Sequence, residues 1–380
     1  MKNNEDYLIL KIGNKAVPLA FVEAYSSFYV ISSGNSNRWP GEVLRAGAAI
    51  LSLHGENITV KAKLLTNSDQ QKEIKDAMRA KYGNMNFNKW FSEISRIIKF
   101  SQTEGLNEEN INHYEEWLKD EFDSIAQHYD HHIYDNLVNN YLRERSLSLM
   151  KTFFPPLQRL MEIGSGTGTE TLEMLKSGHE ITAIDISENM NSILRKKAND
   201  ANVSNLLTTM TVKASDLVNY EKEFMNKPFD GLYSNYGALN CEANIDAIME
   251  IVHKIVKPHG KIVFGIFNKF CLVEMIAHLI GRKPGRVFER FSNRIPEGAS
   301  RFCIDVYPYS PAYLKKLFSK WFNIEMIYGC PVILPPSNYS FMIKGRINEE
   351  RVKKADIFFS KMWPFKFIGD HTLYLMSNKK

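Results

Sequence analysis

The sequence predicts an α/β protein of two domains, a doubly wound parallel sheet with crossover helices behind a smaller N-terminal β-barrel. Three observations carry this. The chain has 380 residues, more than one ordinary core of roughly 100 to 200 residues organises. Up to about Leu65 the apolar residues keep the short period of strands. From Leu160 onward, strand-like runs alternate with helical ones, the order that builds a parallel sheet.

The barrel strands read in order as YLILKI, AVPLAFVEA, FYVISS, AAILSL and ITVKAKLL, separated by Gly, Asn, Ser or Asp. Asn67, Ser68 and Asp69 then precede QQKEIKDAMRAKYG, whose helical spacing closes at Gly83. A second helix is predicted over about 88–100. The polar stretch SQTEGLNEE, with its breaker Gly105, marks the linker, which gives domains 1–105 and 106–380. Beyond it follow LMEI, a helix over about 169–177, EITAI, a helix over about 187–198, TMTVKA, FDGLYS, a helix over about 243–257 and GKIVFGIF. Two insertions, about 268–310 and 330–370, flank a further core helix at about 311–319. No internal repeat is apparent.

Composition narrows the function classes. Hydrophobic content of 44% and charged content of 24% are ordinary for a globular chain. A net charge of +5, with no stripe of Lys and Arg interleaved with aromatics, gives a nucleic-acid substrate no support. Cys241, Cys271, Cys303 and Cys330 form no CxxC pair, which argues against a zinc knuckle and a disulfide framework. The N-terminus MKNNEDYLIL lacks a signal-peptide layout, and no stretch approaches the roughly 18 apolar residues of a membrane span. A cytoplasmic protein with thiols in a reducing compartment is expected.

The stretch LMEIGSGTGTETLEML decides what the glycine turn can hold. Its glycines, Gly164, Gly166 and Gly168, give G-x-G-x-G, with Thr169 where a dinucleotide fingerprint needs its last glycine. No Lys follows, so it is no P-loop. Glu162, directly before the turn, repels phosphate and accepts hydrogen bonds from an ammonium group. Asp185 ends the next strand, where an acid takes ribose hydroxyls. An amino acid, a ribose and no phosphate together describe S-adenosylmethionine.

With FDSIAQHYD, AIDISENM, ASDL, FDGLYSNYGALN and IVKPHGKIVFGIF added, the stretch from Phe122 to Phe267 resembles the class I S-adenosylmethionine-dependent methyltransferases, which have a Rossmann-like sheet. The resemblance implies that the backbone at Gly164, Ser165 and Gly166 approaches the methionine part, that Asp185 binds the ribose, and that Ile186 and Met190 flank the adenine. Asp216 would meet the adenine amino group, Asn235 and Tyr236 would line the methyl-transfer face, and Tyr129 would close over the cofactor. Glu162 stands where Asp is commoner in the family.

Methyl transfer from a sulfonium is an in-line displacement whose leaving group needs no proton, so alignment supplies much of the acceleration. A base helps only with some acceptors. His131, His132, Glu274 and His278 are the candidates, and the sequence selects none. Asp130, His131 and His132 are neighbours, but successive helical residues point apart, so no metal site is expected. The first insertion carries Arg282, Arg286, Arg290, Arg294 and Arg301 with Phe288, Phe291, Phe302 and Tyr307, the makings of a lid whose guanidinium groups grip a carboxylate or phosphate. The second is apolar enough to wall a pocket, with a solvated basic face near 351–354.

Residues 1–105 resemble, more loosely, the split-barrel flavin and deazaflavin oxidoreductases related to pyridoxamine phosphate oxidase, through GNKAVPLAFVEAYSSFYVISSG, NRWPGEVLRAGAAILSLHGENITVKAKLLT and RAKYG. In that family the barrel often dimerises and binds a flavin at the subunit boundary. Arg38, Arg45, Lys61 and Lys63 would then meet its phosphate, although alternating charges on a strand face are expected anyway. Three functions remain open: a small-molecule methyltransferase whose barrel dimerises or presents substrate, a bifunctional or chiefly redox enzyme using a flavin or deazaflavin, and a regulator that senses the cofactor.

Overall fold

The structure is a computed structural model, and it describes residues 7–12, 15–25, 27–32, 39–53, 56–90, 96–102, 114–242, 244–281, 287–291, 306–343 and 349–380. The described residues fall into two compact units, one ending at Ser124 and the other starting at Ile125.

The first unit is built on β1 (Tyr7–Ile12), β2 (Lys15–Ala24), β3 (Ser27–Ser32), α1 (Trp39–Ala46), β4 (Ala48–Leu53), β5 (Glu56–Leu64), α2 (Ser68–Tyr82), α3 (Asn84–Trp90) and β6 (Arg96–Gln102). Its strands close into a barrel in the order β1-β2-β3-β6-β5-β4. Every pairing is antiparallel. Here one expectation fails: the helix predicted at 88–100 is the short α3 followed by the sixth strand. Without β6, β3 and β5 would present two unpaired edges, and closing the sheet outweighs the local helical spacing. Ile98 and Phe100 pair with Val30 and Phe28 across β3. Ile97 packs instead with Tyr29, Ile31, Ile74, Met78 and Phe87 under α2 and α3. β3 is therefore buried on both faces. Asn67 caps α2 by accepting the Gln70 N–H at 2.9 Å, and Gly83 ends it, as its sequence indicates.

The second unit takes the end of α4 (Tyr114–Tyr134), then α5 (Leu137–Phe153), β7 (Arg159–Ile163), α6 (Thr169–Lys176), β8 (Glu180–Asp185), α7 (Glu188–Asp200), β9 (Leu207–Thr211), α8 (Glu221–Asn226), β10 (Phe229–Ser234), α9 (Ile245–Ile255) and β11 (Val256–Phe267). α10 (Leu272–Ile280), α11 (Pro311–Trp321), β12 (Phe322–Cys330), α12 (Glu349–Phe359) and β13 (His371–Asn378) complete it. The sheet order is β12-β13-β11-β10-β7-β8-β9. β7 to β11 run parallel, and β13 runs antiparallel between β11 and β12. The sheet is thus mixed, not wholly parallel as predicted. The direction of the last strand is set by its connection, which the period of HTLYLMSN does not encode.

Alternation along the strands feeds two cores. Ile262, Phe264 and Ile266 face α9 and α11 with Tyr374 and Met376, while Val263, Leu373 and Leu375 face the opposite layer with Leu142, Met174 and Leu194. Each such side chain contributes about 1.5–3 kcal/mol of burial. Strand order reverses between β7, which leads to β8 and β9, and β10, which leads to β11. Ligands of such sheets bind at the carboxyl ends of the strands beside this reversal.

Candidate functional site

At that reversal, β7 ends in the buried Glu162 and passes into the glycine turn. Gly164 and Ser165 donate their N–H groups to the Ile184 carbonyl at 2.8 and 3.1 Å, which fastens the turn to β8. Asp185, at the end of β8, accepts the Gly166 N–H at 2.7 Å and the Ser187 N–H at 3.0 Å. Its carboxylate therefore stands ready under the turn before any ligand arrives.

The glycines have distinct reasons. At Gly168 (φ +77°) a Cβ would come within 2.1 Å of the Leu194 side chain, so this residue lets α6 pack on α7. At Gly166 (φ +54°) a Cβ would meet only the Tyr129 ring, at 3.6 Å. The space over Gly166 is open but for that ring. Tyr129 reaches it because α4 is clamped to the turn: Asp130 accepts from Thr167 Oγ1 and pairs with Lys197, both at 2.5 Å. Burial raises the Tyr129 hydroxyl pKa to about 12, so it stays neutral.

Glu162 Oε2 accepts hydrogen bonds from Thr171 Oγ1 at 2.5 Å and the Tyr233 hydroxyl at 2.9 Å. Burial raises its pKa to about 8 against the pull of both donors. Beside it, the buried Arg143 pairs with Glu170 at 2.8 Å and lies 4.7 Å over the Tyr236 ring, whose hydroxyl shares a 2.5 Å bond with Ser146. The spacing of the glycine turn gives no hint of Arg143, Glu170, Thr171 or Tyr233. The one signal is that Glu170 and Thr171 are polar residues on the first turn of a helix packed against the sheet.

Ile186 is half-buried, and Met190 is fully buried, its N–H capped by Ser187 Oγ at 3.1 Å. Asp216 is half-buried on the turn Ala214–Tyr220. Glu242, which the sequence reading missed, accepts the N–H groups of Ala214 and Ser215 on that turn, and burial raises its pKa. Three polar atoms at the strand ends are buried with no protein partner: Ser165 Oγ after β7, Ser215 Oγ after β9 and Asn235 Oδ1 after β10. An unsatisfied buried polar atom costs about 1–3 kcal/mol, so such atoms mark places that a ligand or water completes. Such atoms at three neighbouring strand ends, with Glu162 and Asp185 among them, suit an uncharged sugar and base beside an ammonium group.

The candidate bases and anion-gripping residues fare differently. Arg290 is buried, paired with Glu274 and with Asp370 at 2.5 Å, bonded to the Asn268 and Asp370 carbonyls at 3.2 Å, and stacked 3.8 Å from the Phe267 ring centre. This corrects its expected role: the guanidinium holds the protein's own carboxylates, not a substrate's. Glu274 has that guanidinium as counter-ion, and His278 is buried against the Tyr339 hydroxyl at 3.0 Å. Cys271, Glu274 and Asp370 lie close enough for a metal, within 4.8 Å, yet Arg290 fills the cation's place and burial pushes the Cys271 thiol up to about 12. His131 is exposed and pairs with Asp135 at 3.0 Å. Phe288 and Phe291 are exposed, and Tyr307 is half-buried. Arg282, Arg286, Arg294, Arg301, Phe302, Arg38 and the His132 side chain lie outside the described residues. In the barrel, Lys61 and Lys63 share one face of β5, and Arg45 is half-buried in the last turn of α1.

A family model described as a methyltransferase domain matches residues 160–260, from the start of the glycine stretch into β11. This chain carries a methyltransferase domain. The chain is 25% identical over 189 residues to the ubiquinone/menaquinone biosynthesis C-methyltransferase of Geotalea daltonii, covering 47% of this chain and 77% of that protein. It is 25% identical over 140 residues to the demethylmenaquinone methyltransferase of Porphyromonas gingivalis, covering 36% of this chain and 54% of that one. Among solved structures, a methyltransferase of Thermotoga maritima aligns with 68% of this chain and 99% of its own at 17% identity, with a TM-score of 0.45. None of these alignments takes in the whole chain.

Proposed function

We propose that the protein transfers the methyl group of S-adenosylmethionine to a small-molecule acceptor. The observation that carries this reading is the pairing of Glu162 below the glycine turn, a buried acid that an incoming ammonium group would ionise, with Asp185, whose carboxylate is bonded to the turn and repels phosphate. When bound, the cofactor supplies a methyl on a positively charged sulfur that departs as a neutral thioether. Glu162 takes up the ammonium group, Asp185 the ribose hydroxyls, and the bare Cα of Gly166 leaves room for the methionine chain beneath Tyr129. Ile186 and Met190 flank the adenine, and Asp216 meets its amino group. The peptide from Gly164 to Gly168 holds the turn, Ser165 offers its unpartnered hydroxyl, and Asn235 and Tyr236 border the face where the acceptor enters. Alignment, with no dedicated base among the described residues, is the chain's main contribution.

The names of the two quinone methyltransferases make an apolar ring the first acceptor class to try. For the barrel we infer the split-barrel relationship, and with it a dimerising or substrate-presenting module. A flavin or deazaflavin there would colour the purified protein yellow. Calorimetry tests the central reading: S-adenosylhomocysteine should bind, and NAD and ATP should not. Tight NAD or ATP binding without heat from S-adenosylhomocysteine overturns it. Labelled S-adenosylmethionine incubated with extract should then label an organic-soluble small molecule.

A further inference from the structure

α10 has its polarity inside out. Its polar residues Glu274 and His278 turn inward to Arg290 and Tyr339, while Leu272, Ile276, Leu279 and Ile280 line one exposed face at helical spacing. Leu279 and Ile280 are 59% and 68% exposed. A helix facing water places these residue types the other way round.

A second apolar set stands on the other insertion. Phe358, Met362 and Trp363, at the end of α12 and just beyond it, are exposed, Trp363 by 79%. The two sets belong to one end of the sheet: β11 and β12 finish there, and the antiparallel β13 starts there. The Leu272 N–H donates to the Ile368 carbonyl at 3.0 Å, which ties the start of α10 to the turn behind Trp363. On the same insertion Lys361 is exposed and Lys366 is half-buried, while the exposed Lys354 is paired with Glu350.

We propose that this end of the second unit docks on an anionic lipid surface, with α10 and Trp363 in the interfacial layer and the lysines against the headgroups. An exposed apolar face beside Trp and Lys is the composition that binds there. Like charges favour the bilayer over a second copy, because a two-fold contact would set lysines against lysines. No helix among the described residues is long and apolar enough to cross a membrane, so the contact is superficial. The docking does not depend on the cofactor reading.

The test is co-sedimentation of the full chain with phosphatidylcholine vesicles, with and without phosphatidylglycerol. Anionic vesicles should bind at least about tenfold more tightly than neutral ones, and salt should weaken them. Leu279→Glu with Ile280→Glu, or Lys361→Glu, should each lower binding several-fold. Blue-shifted tryptophan emission on vesicle addition should vanish in Trp363→Phe. The altered side chains are exposed, so S-adenosylhomocysteine binding measured in parallel should stay unchanged. Equal binding by wild type and variants, no preference for anionic lipid, or a dimer that these substitutions dissociate without vesicles would each overturn the proposal.

Discussion

Glu162 carries an uncommon burden, because a carboxyl with a pKa near 8 is mostly protonated at neutral pH. Burial favours the neutral acid in the folded chain, so its contribution to stability is full below the ordinary carboxyl pKa and is lost as pH rises through about 8. Glu162→Gln should therefore flatten the decline in stability of the ligand-free protein toward alkaline pH, read from urea midpoints. A bound ammonium reverses the preference. Cofactor uptake at neutral pH should release close to one proton from Glu162, seen as a binding enthalpy that varies with the buffer's ionisation enthalpy. Glu162→Gln should abolish that dependence and weaken binding by about 1.5–3 kcal/mol, the worth of a charge-assisted hydrogen bond. The glycines separate affinity from stability. Gly166→Ala puts a methyl into the open space under Tyr129 and should weaken cofactor binding with about 1–2 kcal/mol of backbone cost. Gly168→Ala collides with Leu194 and should lower the urea midpoint further, because the packing of α6 on α7 has to shift.

At the level of elements, the sequence spelled out what local chemistry controls and little of what long-range pairing controls. Asn67 and Gly83 bound α2 as their side chain and φ preferences require, and the glycine turn with Glu162 was readable because that motif is continuous in sequence, with Asp185 at the end of the next strand-like run. β6 was not readable, since only the open edges of β3 and β5 make a strand of RIIKFSQ. Arg143 and Ser146, on a helix with no motif, join Glu170 and Tyr236 only through the packing of α5 on α6 and the sheet end. The resulting ion pair is buried, which makes its removal one-sided. Glu170→Gln leaves Arg143 in the interior without its counter-charge and should destabilise by about 3–5 kcal/mol. Replacing both by a volume-matched apolar pair should cost far less. Chemical denaturation of the single and double variants distinguishes a pair that fixes α5 in place from one that stabilises in its own right.

On the scale of the whole second unit, Arg290 draws together residues far apart in sequence: Glu274 on α10, Asn268 after β11 and Asp370 before β13. It joins the two insertions that the sequence presents as separate lid segments. Its charge holds the Asp370 carboxyl far below the usual carboxylate range, so Asp370 contributes stability above its ordinary pKa, lost only as pH falls through the depressed value. Arg290→Met keeps the length of the side chain and removes the charge. At neutral pH it leaves Asp370 and Glu274 without their shared cation and should cost about 3–5 kcal/mol. Once Arg290 is gone, Asp370 protonates at a higher pH, so the deficit against wild type should shrink as pH is lowered toward 4. A guanidinium serving the substrate predicts the opposite pattern, unchanged urea midpoints at both pH values and a raised KM for an acidic acceptor.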